Sequence, residues 1–475
     1  MTCAASDIHD LRSALDALAR AGERPVEIDA PLDPHVGLID DYLASYRASA
    51  ASWFAAEQPL RLYRRPACGR FPVLMGLFGS RARTGVLLGD DRPGERIARA
   101  IRSPLAPTLS ARATPREWVT APDLRQWLPA LTCTAGDPGP TVTLGLVYAR
   151  DAITGIANCS VHRITLKPNS TVVAISSKGH LQQLVDRHVA RGERLPVSVN
   201  IGLDPALYYA AALSSPAVGF GDDELAVAGA LRGRPVALAP CASGGGWYVD
   251  HAEIVIEGSL GADKEAEHDG ASAGPPGHGH SMPEYLGYFS AAGAVTTLAV
   301  SALSWRPGAI YPALTGPGRE QSELLGVGQE AAIWRVLHDE GVAPLFRDAV
   351  ALPAGGGHLF TVLQVARRTR DDDAPLLNAA MRLLERVATT KNLVLVDDDV
   401  NPHSADDVLW AIATRSRLER DVLQTPSLRG TSLDPTQSES YVSGGQKGFT
   451  NKCVIDCLVP FGELMSNVVY DGRAA

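Results

Sequence analysis

The chain has 475 residues, 45% of them hydrophobic and 20% charged, with 44 basic and 53 acidic side chains and a formal net charge of −9. This length predicts two or three domains. The acidic balance argues against broad nucleic-acid binding and suits a soluble enzyme.

Cysteine usage and the N-terminus indicate the compartment. The seven cysteines are scattered and form no Cys-x-x-Cys pair, so we expect reduced thiols and a cytoplasmic protein. The N-terminus lacks the basic start and apolar run of a signal peptide. The most apolar long window, 288–304, is interrupted by Ser, Thr and Gly, so the sequence predicts no membrane span.

The first elements are a helix, a short strand and a second helix. Apolar residues recur at helical spacing over 7–22, where Asp7 can cap the start and Gly22 can end the helix. The segment 26–28 predicts a strand. The next segment, LDPHVGLIDDYLASY, indicates a turn and a further helix.

Residues 59–78 predict a strand, a turn and a second strand. The sequence Ser-Arg-Ala-Arg follows at 80–83, where two arginines beside a Gly-Ser pair indicate either an anion site or a solvated basic turn. Residues 103–140 are rich in Pro, Thr and Arg and are typical of a connector.

Functional side chains concentrate in residues 155–180, which follow a predicted strand over 141–149. Two β-branched runs flank a Pro-Asn-Ser turn and predict a hairpin. Asn158, Arg163 and the Lys-Gly-His sequence that ends at His180 lie at its strand ends. Amide oxygen and imidazole nitrogen are metal ligands and arginine binds anions, so the hairpin is either a metal and phosphate site or a solvated hairpin with ordinary surface polar groups.

A helix is predicted over 181–194, followed by a strand, PVSVNIG. The segment 206–233 predicts two helices separated by a Ser-Ser-Pro break. Asp222, Asp223 and Glu224 lie at the start of the second helix, where the helix dipole favours acidic residues. The alternative is that one of these carboxylates points inward as a metal ligand.

Strand-rich sequence over 235–260 gives way to Gly, Pro, His and acidic residues over 261–281. This composition predicts a flexible loop. The loop contains three histidines, so a metal-binding tract is the less favoured alternative. A single carboxylate, Glu284, follows beside aromatic and small residues, and 294–306 predicts a buried strand.

The C-terminal part alternates between helices and strands, which predicts an α/β domain. The predicted elements are a helix over 322–341, a strand over 358–367, a helix over 374–388, a strand over 391–396 and a helix over 405–415. The sequence VLVDDDV ends a strand in three carboxylates. These suit either a site at the carboxyl end of the strand or a helix cap and subunit contact.

Nine segments, in order along the chain, resemble the UbiD-type decarboxylases that use prenylated FMN. They are LDPHVGL, PVLMGLFGSRAR, the N-x-x-x-x-R of Asn158 to Arg163, GERLPVSVNIG, ELAVAGALRG, AEIVIEG, EYLGYF, LVLVDDDVN and DVLWAIATR. No single segment is specific, but nine in the right order are far beyond chance motif matching.

The resemblance implies cofactors and their ligands. Asn158, His180 and Glu224 match the divalent metal ligands, with Mn²⁺ or Mg²⁺ bridging the cofactor phosphate and K⁺ commonly nearby. The resemblance also implies cofactor contacts from further residues: His180, Lys178, Ser214, Ser215 and Lys391. A flavin prenyltransferase is the implied supplier of the cofactor.

Arg163 and Glu284 match the family's catalytic arginine and proton-donating acid. The implied reaction is non-oxidative decarboxylation of an α,β-unsaturated or aromatic acid, by cycloaddition to the cofactor, loss of CO₂ and protonation by Glu284. Burial of Glu284 among apolar groups would raise its pKa and help it to carry the proton.

The sequence departs from the family pattern at two positions. A second acid usually lies five residues before the first, where this chain has Gly279, so His278, His280, Glu267 or Asp269 replaces it or the network is reduced to Arg163 and Glu284. At the other position, Gly76 replaces an Asn that many members carry.

By resemblance, the fold is a mixed α/β architecture with three parts. These are an N-terminal α/β segment (1–115), a central split β-barrel that binds the flavin (116–310) and a C-terminal α/β domain (320–475) that mediates dimerisation. We expect a homodimer or higher homo-oligomer, with no nucleic-acid or membrane partner.

The alternatives to a decarboxylase are a carboxylase working in reverse, a flavin-binding protein without turnover, and a metal-binding His module over 268–280. The high Ala, Arg and Gly content would suit a high-GC bacterial source and a natural-product pathway.

Overall fold

The computed structural model describes residues 7–46, 55–134, 137–176, 179–243, 245–267, 280–283, 286–287, 289–291, 293–431, 434–437 and 448–462, with 280–283 and 289–291 described for the backbone alone. The chain divides into two compact units, Met1–Ala331 and Ala332–Ala475. In the described ranges no helix is both long and apolar enough to cross a membrane.

The helices are α1 Leu11–Arg20, α2 Gly37–Ala44, α3 Arg81–Leu88, α4 Pro93–Arg102, α5 Leu124–Trp127, α6 His180–Ala190, α7 Pro205–Ala211, α8 Glu224–Arg232, α9 Arg319–Asp339, α10 Asp373–Arg386, α11 Ala405–Arg415 and α12 Leu418–Asp421. The strands of the first unit are β1 Val26–Ile28, β2 Arg61–Tyr63, β3 Val73–Met75, β4 Thr108–Leu109, β5 Glu117–Thr120, β6 Thr141–Arg150, β7 Ala157–Leu166, β8 Thr171–Val173, β9 Leu195–Ile201, β10 Ala237–Pro240, β11 Trp247–Val249, β12 Ile254–Ala266, β13 His280–Pro283, β14 Phe289–Ala291, β15 Ala294–Trp305 and β16 Tyr311–Pro312. Those of the second unit are β17 Phe346–Ala351, β18 Phe360–Val365, β19 Asn392–Val396, β20 Val422–Gln424, β21 Leu428–Arg429, β22 Phe449–Thr450 and β23 Cys453–Asp456.

A closed antiparallel barrel is the centre of the first unit. Its strands follow the order β12-β9-β6-β7-β8-β15, and β15 pairs with β12 to close the circle. Apolar residues that alternate along these strands, among them Ile164, Val199 and Ile256, belong to one buried core. Gly145 lies beside them, where a Cβ atom would come within 3.0 Å of Ile164 and Val199. The barrel and the mixed α/β class confirm the predicted fold.

The second unit is built on a five-stranded sheet in the order β17-β18-β19-β23-β20. Strands β18, β19 and β23 are parallel, whereas β17 and β20 pair antiparallel at the edges. Valines of the parallel strands pack against α11 in a buried cluster. The predicted alternation of helices and strands is therefore present. Strand β17 was not predicted from the sequence.

Two local predictions at the N-terminal side are wrong. Helix α1 is capped by Asp10 rather than Asp7, because the Asp10 carboxylate accepts a hydrogen bond from the Ser13 backbone N–H at 2.8 Å. The arginines at 81 and 83 lie in neither an anion site nor a solvated turn. Ser80 instead caps helix α3, which these arginines begin.

Both arginines form ion pairs in the first unit. Arg81 binds Glu330 at 2.7 Å and Glu323 at 3.3 Å, while the buried Arg83 pairs with Glu23. Long-range carboxylates thus neutralise a basic sequence that looks solvated when it is read locally.

The strand-rich region before the His-containing loop is longer than expected. Strand β12 continues to Ala266 and pairs with β15 over Lys264 to Ala266, so that 261–266 are strand rather than loop. The extension carries the chain to Glu267, which is 2% exposed. The rest of the predicted loop up to 279 lies outside the described residues.

Gly76 has a structural reason to be glycine. Its φ is +86°, and a Cβ atom would lie 2.0 Å from the Pro59 carbonyl oxygen. Its N–H donates to the buried Glu320 carboxylate at 3.0 Å, and its carbonyl accepts from Arg83. Burial raises the pKa of Glu320 to about 7. Asn tolerates a positive φ, but no side chain fits this contact, so the departure from the family pattern is steric.

We expect Gly76→Ala to destabilise the first unit by about 3 kcal/mol, since strain and overpacking add at this position. Gly22→Ala is the matched control, because Gly22 has a φ of +92° but no atom within 4 Å of an added Cβ. It should cost only about 1 kcal/mol. Urea unfolding of both variants measures the difference, and equal losses would contradict the steric account.

Candidate active site

Three predicted metal ligands come together where β7, α6 and α8 meet. Asn158 is the second residue of β7, His180 is the first residue of α6, and Glu224 is the first residue of α8. Strand pairing of β7 with β6 and packing of both helices in the first unit bring these positions close, although 66 residues separate Asn158 from Glu224.

Glu224 is the centre of this cluster. It is 3% exposed, and its Oε2 accepts the Cys159 backbone N–H at 2.9 Å. Its Oε1 lies 3.2 Å from the Asn158 side-chain amide and 4.0 Å from His180 Nδ1. The His180 ring packs edge-on against Phe220, with 5.7 Å between ring centroids. A buried carboxylate, a buried amide and a partly exposed imidazole therefore lie close together.

The charge of Glu224 has no full counterion in the described part of the chain, where no Lys or Arg nitrogen lies within 4.0 Å of it. Burial and the Glu224 charge raise the pKa of the neighbouring Cys159 thiol well above its usual value. A buried carboxylate normally has a cationic partner. The donor set fits a hard divalent cation, which prefers oxygen ligands and accepts one imidazole.

The neighbouring acids have other roles. The Asp223 carboxylate caps α8 by accepting the Leu225 N–H at 2.9 Å, and the exposed Asp222 accepts the Gly219 N–H at 2.7 Å. Of the three acids at this helix start, only Glu224 is buried in the cluster. The N-cap of α6, Gly179, provides no side-chain cap, so the first N–H groups of that helix suit a phosphate.

Arg163 forms a second charged cluster on the same strand. Its Nε and Nη2 donate to the two carboxylate oxygens of Glu267 at 2.8 and 2.7 Å. The Thr165 hydroxyl also donates to Glu267, at 3.2 Å. Glu267 is 2% exposed, whereas the Arg163 side chain is 25% exposed. The bidentate pair fixes the plane of the guanidinium while part of it remains accessible.

Among the residues considered as replacements for the acid missing at Gly279, Glu267 is therefore the one that pairs with Arg163 in the described structure. His278 and Asp269 lie outside the described residues, as does Gly279 itself, and His280 is described for its backbone alone. Recognising that strand β12 continues to Ala266 would have placed Glu267 at the end of a barrel strand, but the charged composition of this segment is typical of a loop.

Alternation along β7 separates the two clusters. Asn158 shares its face of the strand with Ser160 and His162, which form hydrogen bonds with one another. Arg163 shares the opposite face with Thr165, and both side chains bind Glu267. Ser160 and His162 were not among the predicted site residues, although their i+2 and i+4 spacing from Asn158 places all three on one face of a strand.

The other predicted site residues lie outside these two clusters or outside the described residues. Glu284 and Lys178 lie outside the described residues. Ser214 and Ser215 are exposed and lie between α7 and α8. Lys391 lies in the second unit, where its Nζ binds Asp434 at 2.8 Å and Thr436 at 2.6 Å.

The barrel part of the chain and the α/β part that follows it each match a family model. The family model for the 3-octaprenyl-4-hydroxybenzoate carboxy-lyase Rift-related domain (UbiD) matches residues 109–320. The model for the corresponding carboxy-lyase C-terminal domain (UbiD_C) matches residues 322–457.

Individual relatives agree with this match over nearly the full chain. Gallate decarboxylase of Lactiplantibacillus plantarum is 28% identical over 469 residues, which cover 95% of this chain and 94% of the relative. The apo 3,4-dihydroxybenzoic acid decarboxylase of Enterobacter cloacae is 31% identical, with a TM-score of 0.85 and 98% of each chain covered. The UbiD-class enzyme HmfF of Pelotomaculum thermopropionicum, in complex with FMN, is 25% identical, with a TM-score of 0.83 and the same coverage. The chain belongs to the UbiD family of carboxy-lyases, which confirms the family prediction.

We expect Glu224→Gln to weaken Mn²⁺ binding to the cofactor-free protein at least tenfold, because the substitution removes the only anionic ligand of the cluster among the described residues. Electron paramagnetic resonance of free Mn²⁺ during a titration gives the Kd. Asp222→Asn removes a charge two residues away and should leave the Kd unchanged. An unaltered Kd in Glu224→Gln would contradict the assignment of this metal site.

Proposed function

We propose that the protein is a prenylated-FMN-dependent, non-oxidative decarboxylase of an aromatic carboxylic acid. The observation that carries the proposal is the bidentate pair of Arg163 with the buried Glu267. Arg163 lies on β7, which also carries Asn158 of the metal-type cluster formed by Asn158, His180 and Glu224. Family membership and the hydroxylated aromatic acids named for two relatives support the reaction and the substrate class. The FMN bound by HmfF supports a flavin.

The metal-type cluster would anchor the cofactor. Asn158, His180 and Glu224 would hold Mn²⁺ or Mg²⁺ against the flavin phosphate, and the N-terminus of α6 would add N–H donors to the same phosphate. K⁺, and contacts from Lys178, Ser214, Ser215 and Lys391, remain predictions from the family resemblance. Prenylated FMN supplies the electron sink that makes loss of CO₂ from an unsaturated carbon accessible.

The chain itself supplies charge and a proton. Arg163 would bind the substrate carboxylate through the accessible part of its guanidinium, and Glu267 would hold that guanidinium in one plane. After CO₂ leaves, Glu284 would donate a proton to the carbon that carried it. Carboxylation is the same chemistry driven in reverse by high CO₂.

A flavin-binding protein without turnover is the alternative that depended on the acid missing at Gly279. The carboxylate that Glu267 provides to Arg163 argues against that alternative. A role in natural-product biosynthesis, such as that of the tautomycetin decarboxylase, depends on composition alone and stays a prediction.

A homodimer or higher homo-oligomer is the expected assembly. In the second unit, helix α11 exposes Leu409 and Trp410, which are 60% and 39% exposed. Adjacent large apolar side chains on a helix are typical of surfaces that associate. Light scattering of the purified protein would measure the assembly.

The first experiment is purification after co-expression with a flavin prenyltransferase and Mn²⁺, followed by mass spectrometry of the released ligand. We expect the mass of prenylated FMN and release of CO₂ from one of a panel of hydroxybenzoic and unsaturated acids. Glu284→Gln should retain the ligand and lose turnover, because it removes the proton donor. Wild-type turnover in this variant would overturn the role of Glu284, and bound ligand without turnover or H/D exchange in the wild type would favour the non-catalytic alternative.

We expect Glu267→Gln to lower kcat/KM by about 10²-fold, because the neutral amide cannot pair with both nitrogens of Arg163 as a carboxylate does. The matched control is Glu265→Gln near the end of β12, two residues before Glu267, whose carboxylate is 34% exposed and binds Ser170. Steady-state kinetics on the identified substrate measure both variants. Equal kinetics in Glu267→Gln and Glu265→Gln would show that Glu267 does not position Arg163.

A further inference from the structure

Three polar side chains on one face of β7 form a continuous hydrogen-bond chain. The Ser160 hydroxyl lies 2.9 Å from Asn158 Oδ1 and 2.8 Å from His162 Nε2. On its other side, His162 Nδ1 lies 3.1 Å from the Ala174 carbonyl oxygen. These hydrogen bonds thus connect the backbone just after β8 to the Asn158 amide.

The positions of the hydrogens in this chain follow from its two ends. A carbonyl oxygen only accepts, so His162 Nδ1 must carry a hydrogen to bind Ala174. Burial lowers the pKa of His162 to about 4, so the ring is neutral at physiological pH. A neutral ring with its hydrogen on Nδ1 has a bare Nε2, which can only accept.

The Ser160 hydroxyl has a single hydrogen, and His162 Nε2 takes it. Ser160 Oγ can then offer Asn158 only a lone pair, so the amide atom facing Ser160 must be the nitrogen. A half-turn of an amide exchanges its oxygen and nitrogen without moving other atoms, and hydrogen bonding decides between the two orientations. In the orientation that satisfies His162, the Asn158 carbonyl oxygen occupies the position 3.2 Å from Glu224 Oε1.

Two acceptor oxygens at this separation repel each other unless a cation lies between them. We propose that the chain Ala174–His162–Ser160 directs the carbonyl oxygen of Asn158 toward Glu224, so that His162 is a positioning residue of the divalent metal site. The inference rests on the proposed function, which places the metal at Asn158, His180 and Glu224. It adds to that function the groups that orient one ligand.

The same geometry describes the metal-free protein. Without a cation, the amide turns so that its nitrogen donates to Glu224 and its oxygen accepts from Ser160. That orientation removes the Ser160 hydrogen from His162 Nε2, which has no other donor in the described structure. The two orientations therefore compete, and His162 favours the one that binds metal.

The test is the Mn²⁺ Kd of the cofactor-free protein at neutral pH, which does not depend on turnover. We expect His162→Phe to raise the Kd about tenfold or more, because Ser160 can then donate to Asn158 and hold the amide in the wrong orientation. Ser160→Ala should also raise the Kd. Since His162 acts through Ser160, the double variant should bind Mn²⁺ no more weakly than Ser160→Ala alone.

His251→Phe is the control for loss of a partly buried histidine in the same unit, because its Nδ1 binds Thr114 at 3.2 Å, away from this cluster. Its Kd should match that of the wild type. Wild-type affinity in His162→Phe, equal weakening in His251→Phe, or additive losses in the double variant would overturn the inference. If the wild type binds Mn²⁺ and His162→Phe binds it with the same Kd, the inference fails but the proposed metal site stands. Absence of binding in the wild type overturns the metal site as well.

A spectroscopic measurement tests the tautomer directly and stands even if His162→Phe does not fold. Nitrogen-15 NMR of histidine-labelled protein with Mg²⁺ should show a neutral ring with its hydrogen on Nδ1, assigned to His162 by a shift of that signal in Ser160→Ala. If Nε2 carried a hydrogen, or if the ring were charged, His162 could not accept the Ser160 hydrogen, and the inference would be overturned.

Discussion

The charge of Glu224 is the constraint on which the candidate site depends. A carboxylate that is 3% exposed must be stabilised by hydrogen bonds and by positive charge, and the described neighbourhood provides mainly the hydrogen bonds. The Cys159 N–H holds one oxygen in place, which leaves the other directed at Asn158 and His180. The first unit thus places a buried carboxylate beside an amide and an imidazole, and these are groups that bind divalent cations.

Strand β7 serves two charge systems because a strand has two faces. The face of Asn158 carries neutral groups that act by orientation, whereas the face of Arg163 carries a full ion pair with Glu267. Pairing of β7 with both β6 and β8 inside a closed barrel fixes the separation of the two faces. Under the proposed function, such a strand would hold a cofactor anchor and a substrate anchor at a constant distance, which loops on separate elements do less well.

Local sequence was sufficient for elements whose pattern is local. The hairpin around 155–180, the barrel strands and the α/β alternation of the second unit follow from periodicity, β-branched runs and turn residues. The prediction that Asn158, His180 and Glu224 form one cluster depended on the family resemblance, since no local pattern relates residues so far apart in sequence. The ion pairs of Arg81 and Arg83 could not be predicted from local sequence, because their partners, Glu330 and Glu23, are remote in sequence. The end of strand β12 is hard to predict because charged residues over 263–265 are typical of a loop, although pairing with β15 resumes at Lys264.

The role proposed for His162 depends on its protonation state as well as on its position. Its side chain shares a strand face with Ile164 of the barrel core, and burial there keeps the ring neutral. A charged ring would donate to Ser160, so that the Asn158 amide could face Glu224 with its nitrogen. The orientation of the amide therefore depends on a neutral His162 ring. In the proposed metal site, the apolar surroundings of His162 would therefore contribute to cation binding without touching the cation, because they set the protonation state of a group two hydrogen bonds away from the Asn158 oxygen.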